Sequence, residues 1–149
     1  MRQSPNAYPF DPVREIPNAW VADEAKYGYN WSLSPDGTTL VFAQKLGSPK
    51  VPTLRFFTIA DGSQRMILVP GWTGIGSLDW AADGKSVWMF TYTATDEFAL
   101  LNANVQGKIR TMFEEKSMTL GWAIPSPDGQ HLAFWKASGN ANVWMLENF

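Results

Sequence analysis

WSLSPDGTTLVFAQ, residues 31–44, and AIPSPDGQHLAFWK, residues 123–136, each set the tetrapeptide Ser-Pro-Asp-Gly between two apolar runs. Pro at the second turn position fixes φ, Asp at the third hydrogen-bonds locally, and Gly accepts the left-handed conformation that follows. A Ser in the first position ties the loop further by accepting a bond from the turn backbone. The tetrapeptide therefore reads as a rigid hairpin turn and not as a ligand set built from Asp36, Asp83 and Asp128.

Aligning on Asp-Gly exposes a third copy. Asp36-Gly37, Asp83-Gly84 and Asp128-Gly129 follow one another at 47 and 45 residues, the middle one in LDWAADGKSVWMFTY, where Ala81-Ala82 replaces Ser-Pro. Four residues after each Asp stand Leu40, Val87 and Leu132, and two further on stand Phe42, Met89 and Phe134. A separation of two puts each pair on one face of a strand. A weaker repeat fills the rest of each unit: LRFFTIADGSQRMILV and FALLNANVQGKIRTMF both read strand, Gly-containing turn, strand.

Four strands follow for unit one (28–33, 39–45, 53–60, 64–69), four for unit two (75–80, 86–93, 97–103, 108–113) and three for unit three (120–125, 131–137, 142–147). Four strands recurring at about 40–47 residues is the period of a propeller blade. The fold class is all-β: four-stranded antiparallel propeller blades, three per chain, a half-propeller. Blade 1 covers 27–70, blade 2 covers 71–115, and blade 3 covers 116–149 without a fourth strand. Residues 1–26 form an N-terminal segment whose four prolines forbid a helix but permit short strands near 7–10 and 15–21, the second a closing strand, with one helical turn at most near 21–27.

SPDGTTLVF and SPDGQHLAF resemble the WD40-like repeats of the PD40 type found in TolB-like bacterial β-propellers. The closing GWAIPSPDGQHLAFWKASGNANVWMLENF is similar to the last blade of propellers that end bacterial serine/threonine kinases and membrane-linked regulators. Coverage runs from about Tyr8 to Phe149. The resemblance implies a six- or seven-bladed platform for binding or sensing, here without a kinase or DNA-binding part. NAYPFDPVREI resembles the middle of a blade in that family, as a fragment of a longer chain would show.

Three blades do not close a ring, which takes about four to eight. The open ends would present apolar faces and unpaired strand edges. A homodimer answers both: two triplets make six blades, and the partner's N-terminal segment around Glu15–Val21 supplies the missing fourth strand.

Composition narrows the function. With 45% apolar residues, eight Trp, nine Phe and four Tyr the chain is a folded, strand-rich domain. A net charge of −2 offers no footprint for nucleic acid. The absence of cysteine removes disulfides, thiolate chemistry and Cys-based zinc sites. No stretch of about 18 apolar residues argues for membrane insertion. Without an apolar signal after Met1 the chain as written reads as cytoplasmic, or as extracytoplasmic if it is part of a larger chain.

No residue is expected to be catalytic and none to bind metal or a cofactor. His131 has no second histidine to complete a metal pair, and Gly-x-Ser-x-Gly does not occur. Asp79 with Asp83, Asp96 with Glu97, and Glu114 with Glu115 are sequence neighbours that read as solvated loop charge. Glycosidase carboxyls must face each other across a sugar. GWTGIG at 71–76 has the wrong spacing for a dinucleotide loop and reads as a connection between blades. Trp31, Trp80, Trp88, Trp122, Trp135 and Trp144 fall within the predicted strands and are expected to serve the core between blades.

Trp72 differs because it lies between one blade's fourth strand and the next blade's first. Such loops, with those between second and third strands, make the ligand-binding face of a propeller. Tyr27, Trp72 and Met118 belong to the first set; Lys50, Asp96 and Lys136 belong to the second. The expected function is a non-enzymatic scaffold that binds a protein or peptide there. The rivals are a structural half-propeller without a ligand and an enzyme acting on polysaccharide.

Overall fold

The computed structural model describes residues 30–116, 119–138 and 140–147. The expected strands near 7–10 and 15–21 and the turn at 21–27 lie outside the described residues. Eleven strands run β1 (Trp31–Leu33), β2 (Thr39–Leu46), β3 (Val51–Thr58), β4 (Gln64–Leu68), β5 (Gly74–Trp80), β6 (Ser86–Tyr92), β7 (Glu97–Asn104), β8 (Ile109–Lys116), β9 (Thr119–Pro125), β10 (His131–Ser138) and β11 (Asn140–Glu147). They form two four-stranded sheets, β1–β4 and β5–β8, and a three-stranded sheet, β9–β11, each an antiparallel meander. The described residues contain no helix long and apolar enough to cross a membrane.

The sheets stack face to face, which β6 makes visible in sequence. In SVWMFTY, Val87 and Met89 pack on blade 1 with Val41, Leu54 and Phe56, while Trp88 and Phe90 pack on blade 3 with Ala123 and Leu132. A strand buried on both faces reads as an unbroken apolar run, since neither face keeps polar positions. Each such buried side chain contributes about 1.5–3 kcal/mol by removal from water. Trp80 adds an edge contact to the Phe56 ring across the first junction, centroids 5.6 Å apart.

Three bulges depart from simple alternation. In β5 the pairing with β6 shifts between Ile75 and Ser77, and in β9 the pairing with β10 shifts at the matching place around Trp122. The residues 71–76 are thus only half a connection: Gly74 and Gly76 already belong to β5, and a Cβ on Gly74 would collide with the Tyr92 ring. In β8 an extra residue opposite Leu100 and Leu101 lengthens the strand. As a result Lys116, expected to open blade 3, ends blade 2, where its ammonium meets Glu97 at 2.9 Å.

The third strands show how blade 3 differs. Residues 52–57 of β3 are buried and β7 is mostly buried, whereas Val143, Trp144 and Met145 of β11 are exposed by 77%, 51% and 62%. At the blade 1 end, by contrast, Phe42 and Phe57 are buried and the Arg55 guanidinium lies over the Phe42 ring. Trp31, Leu33, Met66 and Leu68 on that same face are nevertheless exposed, so apolar side chains lie open at both ends.

Candidate functional site

The Ser-Pro-Asp-Gly turns behave as the residues dictate. In the first, Gly37 N–H donates to Ser34 O, the Ser34 hydroxyl donates to Asp36 Oδ1 at 2.6 Å, and Thr39 N–H donates back to Ser34 Oγ at 2.9 Å. Ser126, Asp128 and His131 repeat the arrangement. The Ser34 hydroxyl, then the Thr38 amide and hydroxyl, hold Asp36 below its ordinary carboxyl range. Ser126 and the Gln130 amide do the same for Asp128. These carboxylates are spent on their own turns.

The turns also meet between blades. A Cβ on Gly84 would lie 3.8 Å from Pro35 Cδ, and one on Gly129 would lie 3.5 Å from Ala82 Cβ. The second position of one turn thus sits against the glycine of the next. Beside this row, a groove of about 570 Å³ opens between blades 2 and 3, with Trp88, Arg110 and Met112 on one wall and Pro125 and Pro127 on the other.

The expected ligand loops gather on the opposite edge. Val69 N–H donates to Pro52 O and Thr73 N–H to Tyr92 O, each at 2.8 Å, so residues 69–73 lie beside the strand ends that border 47–50 and 93–96. Lys50 and Asp96 are exposed there, Asp96 with φ of 56°. Trp72 is half-buried and packs on the core between blades 1 and 2. Lys136 is drawn in: its ammonium lies 3.3 Å from Glu115, 5.3 Å from the Phe113 centroid and 5.9 Å from that of Trp144. Tyr27 and Met118 lie outside the described residues.

The carboxylate neighbours separate. Glu97 pairs with Lys116, Glu115 pairs with Lys136, and Asp83 caps its turn by accepting Lys85 N–H. Asp79, read from sequence as loop charge, stands in β5 between Leu78 and Trp80. It accepts the Ser32 hydroxyl across the blade junction at 2.5 Å and its neighbour's amide at 2.8 Å. His131 is half-buried, its ring 3.5 Å from Glu147 and 3.9 Å from Asp128. No group of three metal-ligating side chains converges among the described residues.

Asp79 leads to a feature that sequence reasoning missed. Where β1, β5 and β9 converge, a cavity of about 340 Å³ is lined by Asn30, Trp31, Ser77, Asp79 and Trp122, among others. Trp31 and Trp122, expected in the core between blades, are instead exposed by 58% and 68%. Asn30 Nδ2 donates to Ile75 O at 2.8 Å, fixing the amide. The Ser77 hydroxyl is buried without a hydrogen-bond partner among the described residues. Trp122 holds φ of 45°, a conformation that costs a bulky side chain strain and that clusters at ligand sites.

No protein-family model and no curated protein matches the sequence. Solved structures do. TolB from Acinetobacter baumannii superposes with a TM-score of 0.65 at 14% identity, over 79% of this chain and 29% of that one. A putative TolB from Agrobacterium tumefaciens gives 0.65 at 16% identity, over 80% and 46%. The fold is that of TolB-type propeller blades. The chain spans less than half the length of either TolB structure. A periplasmic gluconolactonase from Pseudomonas aeruginosa matches with a TM-score of 0.46 at 18% identity, over 72% and 36%.

Proposed function

We propose that the chain is a non-enzymatic propeller scaffold that binds a protein or peptide, and that two copies assemble into a six-bladed ring. The observation that carries the binding reading is the pair of exposed tryptophans, Trp31 and Trp122, which line one cavity where β1, β5 and β9 converge. Aromatic side chains held on rigid strands give large contact area at low entropic cost, as binding anchors do. The loop edge with Lys50, Trp72, Asp96 and Lys136 extends the surface over which such a ligand would run.

The exposed Val143 and Met145 of blade 3 support the ring, because they occupy the face that the next blade covers in blades 1 and 2. Subtracting the 47-residue repeat from β4 gives residues 17–21, which fall within the stretch Glu15–Val21 expected to supply a closing strand. In the ring, that stretch of one copy pairs with β11 of the other.

Selection of peptides from a displayed random library on the immobilised chain tests the binding reading. Enrichment of peptides that lose binding to Trp122→Ala or Trp72→Ala, with the fold intact by circular dichroism, supports it. Failure to enrich any sequence favours a structural half-propeller, and turnover of an added glycan would favour an enzyme.

A further inference from the structure

We propose that the cavity between β1, β5 and β9 binds a basic side chain, arginine above lysine; this rests on the peptide-binding reading and names the group recognised. Among the described residues the cavity offers acceptors and π faces without a competing cation. Asp79 uses Oδ1 for Ser32 and Trp80, and its second oxygen has no hydrogen bond among the described residues. Asn30 donates its amide N–H to Ile75, which leaves its carbonyl oxygen without a bond among the described residues. Among the described residues no lysine or arginine lines the cavity, and the Asp79 carboxylate is the one formal charge they place there.

Trp31 and Trp122 complete the chemistry. An indole is the best aromatic partner for a cation, and a planar guanidinium both stacks on it and donates to a carboxylate. Ser32 and the Trp80 amide fix Asp79 in place before a ligand arrives, so its orientation costs nothing further on binding. Trp122 replaces, in the bulge of β9, the residue that stands as Ser77 in the bulge of β5. A tryptophan kept at positive φ, where a small residue serves the neighbouring blade, is placed for contact with something outside the sheet.

The test is an NMR titration of the tryptophan indole N–H signals in the 149-residue chain. The probes are Ac-Gly-Arg-Gly-NH2, Ac-Gly-Lys-Gly-NH2 and Ac-Gly-Glu-Gly-NH2. Saturable shifts of Trp31 and Trp122 are expected with the arginyl probe, weaker ones with the lysyl probe and none with the glutamyl probe. Asp79→Asn, which keeps an acceptor for Ser32, is expected to weaken the arginyl probe about tenfold or more, as is Trp122→Ala. Equal response to the glutamyl probe, no saturable shift with the arginyl probe, or unchanged affinity in both variants overturns the proposal. If library-selected peptides bind while the arginyl probe does not, the basic-side-chain assignment fails and the scaffold reading stands.

Discussion

Replacing Ser34 by alanine tests the turn that organises each blade. Its hydroxyl, in a residue only 6% exposed, donates to Asp36 and accepts the Thr39 amide at 2.9 Å. One net hydrogen bond is worth about 1 kcal/mol, and leaving the Thr39 amide unpaired adds to that, so the variant is less stable by about 1–2 kcal/mol. For a chain of this length the melting midpoint falls by roughly 3–6 °C. The same hydroxyl is the largest cause of the lowered Asp36 pKa, which therefore rises in the variant.

The sign of the pH dependence follows. A carboxyl with a depressed folded pKa stabilises above its unfolded pKa and loses that contribution as pH falls through the folded value. The gap between wild type and Ser34→Ala therefore narrows on acidification. Thermal unfolding from neutral pH downward, with a carbon-detected NMR titration of Asp36, reads both effects. Blade 2 is the internal comparator: its turn keeps Gly84 N–H to Ala81 O and Lys85 N–H to Asp83, each at 2.9 Å, without any hydroxyl at position 81. A variant that melts with wild type, or an Asp36 titration that does not move, refutes the reasoning.

Trp122→Asn is expected to leave stability within about 1 kcal/mol of wild type, because asparagine accepts positive φ and this relief offsets the loss of a ring that is mostly exposed; chemical denaturation checks it. Lys136→Met removes the ammonium held by Glu115 and two rings, costs about 1 kcal/mol, and lowers hydrogen-exchange protection in β10 and β11 more than in β6. Val143→Lys puts a charge on the open face of blade 3, so it is expected to abolish the proposed dimer in gel filtration while the circular dichroism spectrum of the monomer stays unchanged.

The sequence made the blades legible because Asp-Gly recurs at a fixed interval and alternation does the rest. Leu40, Val87 and Leu132 fall at matching places in β2, β6 and β10. What it concealed depends on contacts between blades. Neither Pro35 against Gly84 nor Ser32 against Asp79 is local, and both need the sheets stacked in register before they exist. The bulges at Gly76 and Trp122 are invisible to a period-two reading, which counts residues and cannot see one left unpaired. The position of Lys136 near a strand end suggests a ligand loop, yet its side chain points back to Glu115. A signal for the cavity was present in hindsight: Ser32 and Asp79 occupy the same place in the repeat and are polar on strands otherwise rich in large apolar residues.

Multi-angle light scattering on the purified chain tests the central claim most directly. A half-propeller completed by a second copy predicts a mass twice the 16.7 kDa of the monomer, at concentrations well below those used for NMR. A strict 16.7 kDa species across the whole concentration range would contradict it.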